Sequence, residues 1–309
     1  MTATSPLIKA IINRNPRAIA RAISLVEDGD QQADLILTGL DPVLLEKATV
    51  IGITGPPGAG KSTLTDKLIS QYRKHGDRIG VIAIDPSSTI SGGAILGDRI
   101  RMMEHALDND VVMRSMATRG RLGGLCGAAG AATRIMAASG CSIIIIETVG
   151  VGQSEMDIIR LADITALVVA PGLGDDIQAM KAGLLEVADL LVVNKSDCPG
   201  AEALAMDMET VAREKPPLAD NLSRVCQTSA TEGRGVEELV ETLAHVDRLH
   251  RQSDEHARRR QQARAMEVLD WSLEMLRPCL QDLINNRDVL QTGDPRLLAA
   301  EIVKELSDH

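Results

Sequence analysis

The stretch Val50-Ile51-Gly52-Ile53-Thr54-Gly55-Pro56-Pro57-Gly58-Ala59-Gly60-Lys61-Ser62-Thr63 decides the class of fold. Val50 to Ile53 is a short apolar run of strand type. From Gly55 the text fits G-x-x-x-x-G-K-[ST] at every fixed position, and a helical pattern follows from Thr63 to Ile69. Strand, glycine-rich loop and helix in that order make a phosphate cradle. The glycines let successive backbone N–H groups turn onto an anion, and the N-terminus of the helix adds its dipole. Gly55, Pro56, Pro57, Gly58, Ala59, Gly60, Lys61, Ser62 and Thr63 are the expected nucleotide-phosphate residues, with Lys61 reaching the β- and γ-phosphates and Ser62 a ligand of Mg²⁺.

Outward from this loop the same grammar repeats. Ile79-Ile84, Ser142-Ile146, Ala166-Val169 and Leu190-Val193 are continuous apolar runs separated by helical patterns. Such runs suit strands buried on both faces of a parallel sheet, so the expected class is α/β, doubly wound and mainly parallel, with helical extensions at both ends. Residues 1–48 read as an N-terminal helical extension, with Asn15-Pro16 and Asp41-Pro42 as helix openers; 49–247 read as the P-loop domain and 248–309 as a C-terminal helical extension.

Mg²⁺ needs a second oxygen ligand. Ile143-Ile144-Ile145-Ile146-Glu147-Thr148-Val149-Gly150 places an acid at the end of a buried run and a glycine three residues on, so Glu147 is expected beside the ion or its water and the Gly150 N–H at the γ-phosphate. Asp85, after Ile84, and Asp98, in Gly92-Gly93-Ala94-Ile95-Leu96-Gly97-Asp98, are further candidates, of which an octahedral Mg²⁺ that keeps several waters takes only one or two. Where many such enzymes carry a water-orienting Gln after the switch glycine, this chain has Val151, which implies slow intrinsic turnover.

Asn194-Lys195-Ser196-Asp197 follows the run Leu190-Val193, the position of an N-K-x-D guanine reader. The Asp197 carboxylate accepts from the guanine ring N–H and amino group, whereas adenine has no donor at that ring nitrogen; a buried acceptor left unpaired rejects the wrong base by roughly 10⁴-fold. Lys195 is expected to lay its stem over the base, Asn194 to brace the loops, and Ser229-Ala230 to offer an N–H to the guanine carbonyl.

Composition narrows the rest. The 309 residues contain no Phe, one Tyr and one Trp, so aliphatic side chains and Met must fill the core and no aromatic stack holds the base. A net charge of -10 argues against a nucleic-acid partner. Five scattered cysteines (Cys126, Cys141, Cys198, Cys226, Cys279) indicate neither a disulfide framework nor a zinc site and are expected reduced and mostly buried. No signal peptide or membrane-length apolar run is present, and the expected location is the cytoplasm. Met266, Leu269, Leu273, Leu276 and Leu280 keep a three-four spacing, either against the protein's own core or as a dimer seam; Pro278 is expected to kink or end that helix, and Arg258-Arg259-Arg260 to be a solvated face.

At these residues the chain resembles the methylmalonyl-CoA mutase-associated GTPases, the MeaB/ArgK family. The likeness runs over about residues 15 to 245 and rests on Ala83-Ile84-Asp85-Pro86-Ser87-Ser88, Gly92 to Asp98, Arg114-Ser115-Met116-Ala117-Thr118-Arg119-Gly120, Glu147-Thr148-Val149-Gly150-Val151-Gly152-Gln153-Ser154-Glu155 and Asn194 to Asp197. The resemblance implies a Mg²⁺-dependent GTPase that binds an adenosylcobalamin-dependent acyl-CoA mutase, gates loading of its cofactor and protects it, and that forms homodimers through its C-terminal helices. It also implies that Ser62, Asp85, Asp98 and Glu147 form the magnesium and switch shell and that Lys181 belongs to a third switch loop beginning near Gly172. Ser196 stands where the family often has Ala, and the tail is short. Two alternatives share the core: a metal-delivery GTPase, for which no His or Cys cluster is visible, and a nucleotide-dependent kinase linked to amino-acid transport, for which no acceptor motif is visible.

Overall fold

Each buried apolar run becomes a strand because its side chains have a helix layer to enter on both sides. The strands are β1 Thr49–Thr54, β2 Ile79–Asp85, β3 Val111–Ala117, β4 Ile143–Thr148, β5 Ile164–Val169, β6 Leu190–Val193 and β7 Val225–Gln227. In this computed structural model, which describes residues 5–85, 105, 107–117, 124–148, 154–173, 182–215, 218, 222–287 and 294–307, these seven form one all-parallel sheet in the order β3-β2-β4-β1-β5-β6-β7. Alternation sends Ile144 and Ile146 into one core layer and Ile145 into the other. The doubly wound expectation holds.

β3 and β7 are not among the five apolar runs. Both are edge strands: β3 carries Arg114, which bonds Ser24 at 3.0 Å and pairs with Glu27, and β7 has only three residues, half-exposed or exposed. An edge strand buries too little to write a continuous apolar word.

Ahead of the sheet stand α1 Pro6–Ile12, α2 Pro16–Glu27, α3 Gln32–Thr38 and α4 Pro42–Lys47. Asn15 Oδ1 accepts from the Ala18 N–H at 3.0 Å and Asp41 Oδ1 from Val43 at 2.9 Å, each with Pro at the first helical position, as the sequence signals require. Helix α2 buries Ile19, Ile23 and Val26 in the core shared with α6 Gly124–Ala138. The remaining helices are α5 Lys61–Lys74, α7 Ser154–Leu161, α8 Ala182–Val187, α9 Ala201–Arg213, α10 Val236–Gln252, α11 Glu255–Asn285 and α12 Pro295–Ser307.

Helix α11 overturns one expectation and narrows two others. It continues through Pro278 to Asn285, so Pro278 does not end it; the missing ladder bond falls on an exposed stretch that water can satisfy. The leucine stripe does not enter the protein's own core: Leu269, Leu273 and Leu276 are 49%, 47% and 44% exposed. The face that docks on α6 is the charged one. Glu267 holds Arg134 through two bonds of 2.5 and 2.6 Å, and Trp271 packs over Gly127, where a Cβ would lie 3.1 Å from the ring. Residues 267 and 269 lie some 200° apart around a helix, so one face excludes the other.

Nor are the three arginines a solvated face. Only Arg258 faces outward, to Glu255. Arg259 grips Asp189 with two bonds of 2.7 Å, and Arg260 grips Asp163 with two of 2.5 Å. Both aspartates are buried, and each also accepts a strand-opening N–H: Val50 bonds Asp163 and Thr165 bonds Asp189, both at 2.8 Å. Ala162-Asp163-Ile164 and Ala188-Asp189-Leu190 are the sequence signal, an acid at the start of each of two buried strands. Of the four cysteines whose burial is described, Cys141 is buried while Cys198 and Cys226 are partly exposed and Cys279 is exposed, against the expectation that most are buried; the side chain of Cys126 lies outside the described residues.

Candidate nucleotide site

In an open parallel sheet the loops that leave the carboxyl ends of the strands form the ligand crevice. Here β1 feeds residues 55–60 and then α5, β4 ends at Glu147-Thr148, and β6 ends at Asn194. Register brings them level, since Ile53 and Ala83 both pair with Glu147, one from β1 and the other from β2.

The loop between β1 and α5 is tightly packed. Gly55 takes φ +140, and a Cβ there would lie 2.0 Å from the Val168 carbonyl oxygen; Gly60 takes φ +88, and its Cβ would lie 2.4 Å from the Asn194 side-chain nitrogen. Only glycine fits either place. Lys61 is buried and donates to the carbonyls of Gly55 at 2.7 Å and Pro56 at 3.0 Å, so its ammonium lies inside the loop it opens α5 from. Ser62 Oγ donates to Glu147 Oε1 at 2.5 Å. A hydroxyl and a buried carboxylate thus meet at the N-terminus of α5, a pair of hard oxygen donors of the kind Mg²⁺ takes. Beneath them the hydroxyls of Thr54 and Thr148, both fully buried, lie 3.4 Å apart at the roots of the two segments.

Asn194 joins the phosphate loop to the base side. Its amide nitrogen donates to Ala59 O at 2.9 Å and Gly60 O at 3.4 Å, and its oxygen accepts from Thr228 Oγ1 and the Ala230 N–H, both at 3.1 Å. Thr228, which the motif reading does not name, is thus part of the site's frame. The Ala230 N–H, expected at the guanine carbonyl, is engaged by Asn194 in this structure. Lys195 has φ +56, rare for a side-chain-bearing residue, and its Cε comes within 4.0 Å of where a Gly60 Cβ would sit. The left-handed turn therefore carries its stem across the phosphate loop. Asp197 is exposed; a hydrogen bond from Ser229, then its own backbone N–H, hold its carboxyl below the usual range. Ser229 itself is buried, its N–H bonded to Arg234 O at 2.9 Å.

Lys61, Ser62, Glu147, Asn194, Lys195, Asp197, Ser229 and Ala230 therefore fall along one edge of the sheet. Asp85 closes β2 at that edge. Asp98, Gly150, Val151 and Lys181 lie outside the described residues.

A phosphate loop between β1 and α5 in an all-parallel, doubly wound sheet defines a P-loop nucleotide hydrolase. A solved structure described as a LAO/AO transport system kinase shares the architecture, with a TM-score of 0.68 and 25% identity over 97% of this chain and 96% of that one. Residues 19–282 match the family model described as methylmalonyl Co-A mutase-associated GTPase MeaB, and the chain belongs to that family. A protein of Pyrococcus horikoshii named as a GTPase is 47% identical over 82% of this chain and 81% of its own. The GTPase ArgK of Escherichia coli is 34% identical over 82% and 77%. A mouse protein named as a mitochondrial methylmalonic aciduria type A homolog is 36% identical over 68% of this chain and 52% of its own. The protein is a GTP hydrolase.

Proposed function

We propose that this GTPase, with Mg²⁺, is a chaperone and gatekeeper for an adenosylcobalamin-dependent acyl-CoA mutase of the methylmalonyl-CoA mutase type, coupling hydrolysis to loading and protection of the mutase's cofactor. The observation that carries the reading is the match to a mutase-associated family over residues 19–282, and the name of the mouse relative supports it. Ser62 and Glu147 would hold the ion, with Asp85 and Asp98 in the same shell by family resemblance. When bound, Mg²⁺ neutralises charge between the β- and γ-phosphates.

The chain's own groups do the rest. The N–H groups of residues 55 to 62 and the Lys61 ammonium bind the phosphates, Gly150 meets the γ-phosphate, and Lys181 belongs to a responding loop. Asp197 selects guanine, while Lys195 covers the base and Asn194 keeps base and phosphate loops at a fixed separation. Valine at 151 cannot orient water, so turnover is slow until the partner or a rearranged loop supplies that group. The exposed Leu269, Leu273 and Leu276 support a homodimer seam. No helix among the described residues is long and apolar enough to cross a membrane, and we place the protein in the cytoplasm.

Affinity capture from cells, with GDP and with a non-hydrolysable GTP analogue, tests the reading. A mutase captured in a nucleotide-dependent way is the expected result; no mutase under either nucleotide overturns it. Labelled γ-phosphate on a protein instead of in solution would establish the kinase alternative. Metal titration separates the delivery alternative; among the described residues no group of three or more His, Cys, Asp or Glu is assembled to hold a metal ion.

A further inference from the structure

The paired register of β1 with β4 ends at Ile53 and Glu147. One residue further on, the Thr54 and Thr148 hydroxyls lie 3.4 Å apart, and there the chain leaves β1 for the phosphate loop and β4 for the segment containing Gly150. Side chains thus carry the pairing one residue past the ladder. Across the sheet the two belong to the row Ile84, Thr148, Thr54, Leu167, all buried. Apolar side chains flank both hydroxyls, and among the described residues each hydroxyl has only the other as its hydrogen-bond partner. Valine has the shape of threonine and suits a buried strand as well, so packing alone requires a hydroxyl at neither position.

Alternation gives the pair its leverage. Ile145 shares the core layer of Leu64 and Leu68 from α5, whereas Ile144 and Ile146 enter the opposite layer. Glu147 therefore faces α5, where its carboxylate accepts from Ser62 at 2.5 Å, and Thr148 faces away. The end of β1 is held firmly, because Gly55, directly after Thr54, is packed against the Val168 carbonyl. On its far side β4 stays in register with β2 through Ile84 and Thr148. The hydroxyl bond therefore sets how far this end of β4 stands from β1.

We propose that Thr54 and Thr148 are positioning residues of the nucleotide site. Their hydroxyl bond fixes the separation of the two strand ends from which the phosphate loop and the Glu147 segment depart, and so holds the Glu147 carboxylate at Ser62. They act through Glu147 from the opposite face of the sheet. The quantity they govern is the affinity of the nucleotide-loaded protein for Mg²⁺, since a carboxylate already in place loses less freedom when it takes the ion. This inference rests on the reading of Ser62 and Glu147 as donors to Mg²⁺ and is independent of the proposed mutase partner.

The test separates packing from positioning in the full-length protein. Thr54→Val or Thr148→Val alone leaves one hydroxyl without a partner among apolar neighbours and should lower the urea midpoint; the two together remove the pair with its shape kept and should bring the midpoint back. Equilibrium dialysis of a non-hydrolysable GTP analogue across a Mg²⁺ titration then reads the site. For the double Val variant, half-saturation should require roughly three- to tenfold more Mg²⁺, the worth of one hydrogen bond, with binding in EDTA unchanged. Thr54→Ser with Thr148→Ser keeps both hydroxyls and should need no more Mg²⁺ than the unaltered protein. A double Val variant with unaltered Mg²⁺ dependence reduces the pair to packing and overturns the inference, as does an equal loss of binding in EDTA or a Ser pair that behaves like the Val pair. A double Val variant whose urea midpoint does not recover overturns the two hydroxyls as a closed unit. Analogue binding that ignores Mg²⁺ in the unaltered protein sinks the metal reading itself, and this inference with it.

Discussion

Asn194 shows how one amide can organise a site from within. Its two ends satisfy Ala59 and Gly60 on one loop and Thr228 and Ala230 on another, and the residue is 1% exposed. Asn194→Ala leaves those four partners, three of them buried, without it, and at about 1 kcal/mol for each bond the loss of stability should be about 2–4 kcal/mol by urea denaturation, with weaker GTP binding alongside. Asp197 makes the opposite case, an exposed acid held ready by Ser229. Asp197→Asn should leave stability unchanged and reduce the preference for guanine over adenine, expected at roughly 10⁴-fold, by about 10²-fold or more in equilibrium dialysis. The motifs name both residues; they do not name Thr228, because a threonine two positions before Ala230 carries no pattern of its own.

At the scale of elements the decisive contacts are those of α11 with the base of the sheet. Asp163 is 2% exposed and depends on Arg260, so Arg260→Ala strands a buried carboxylate and should cost about 3–5 kcal/mol, read as a fall in the urea midpoint at constant slope. His256 stands 3.6 Å from the same carboxylate; burial, the larger effect, lowers its pKa despite the attraction of Asp163. A histidine whose folded pKa lies below its unfolded value of about 6.5 binds its proton more readily in the unfolded chain. Its contribution to stability is complete above pH 6.5 and declines as pH falls from there towards the folded pKa. Thermal unfolding between pH 7.5 and 5 should show that decline, and His256→Asn should reduce it. Helix α11 is also where sequence periodicity misleads. A leucine every three or four residues looks like a core stripe, but the helix docks through Glu267, Trp271 and Arg134 instead, because two-point ion pairs shielded by a neighbouring helix can bury a charged face.

Over the whole molecule, that choice leaves an apolar face outside. Leu269, Leu273 and Leu276 together with Val268 and Met275 are exposed along one helix. With a homodimer seated there, Leu273→Glu should convert dimer to monomer in light scattering while the thermal midpoint of the monomeric fold stays within the small range of a surface change. A variant that remains dimeric removes the seam from this face.

The order of strand, loop and helix around Gly55 to Ser62 was written in the chain itself, because a phosphate loop needs particular residues at particular offsets and short-range backbone geometry carries them. The same holds for the strands buried on both faces, whose apolar runs have no polar neighbour to dilute them, and for the guanine reader at the end of β6. Which face of α11 turns inward and where Arg259 and Arg260 find their aspartates were settled only by assembly. Each depends on partners tens to hundreds of residues away, and no local spacing records the distance at which two charges meet after folding.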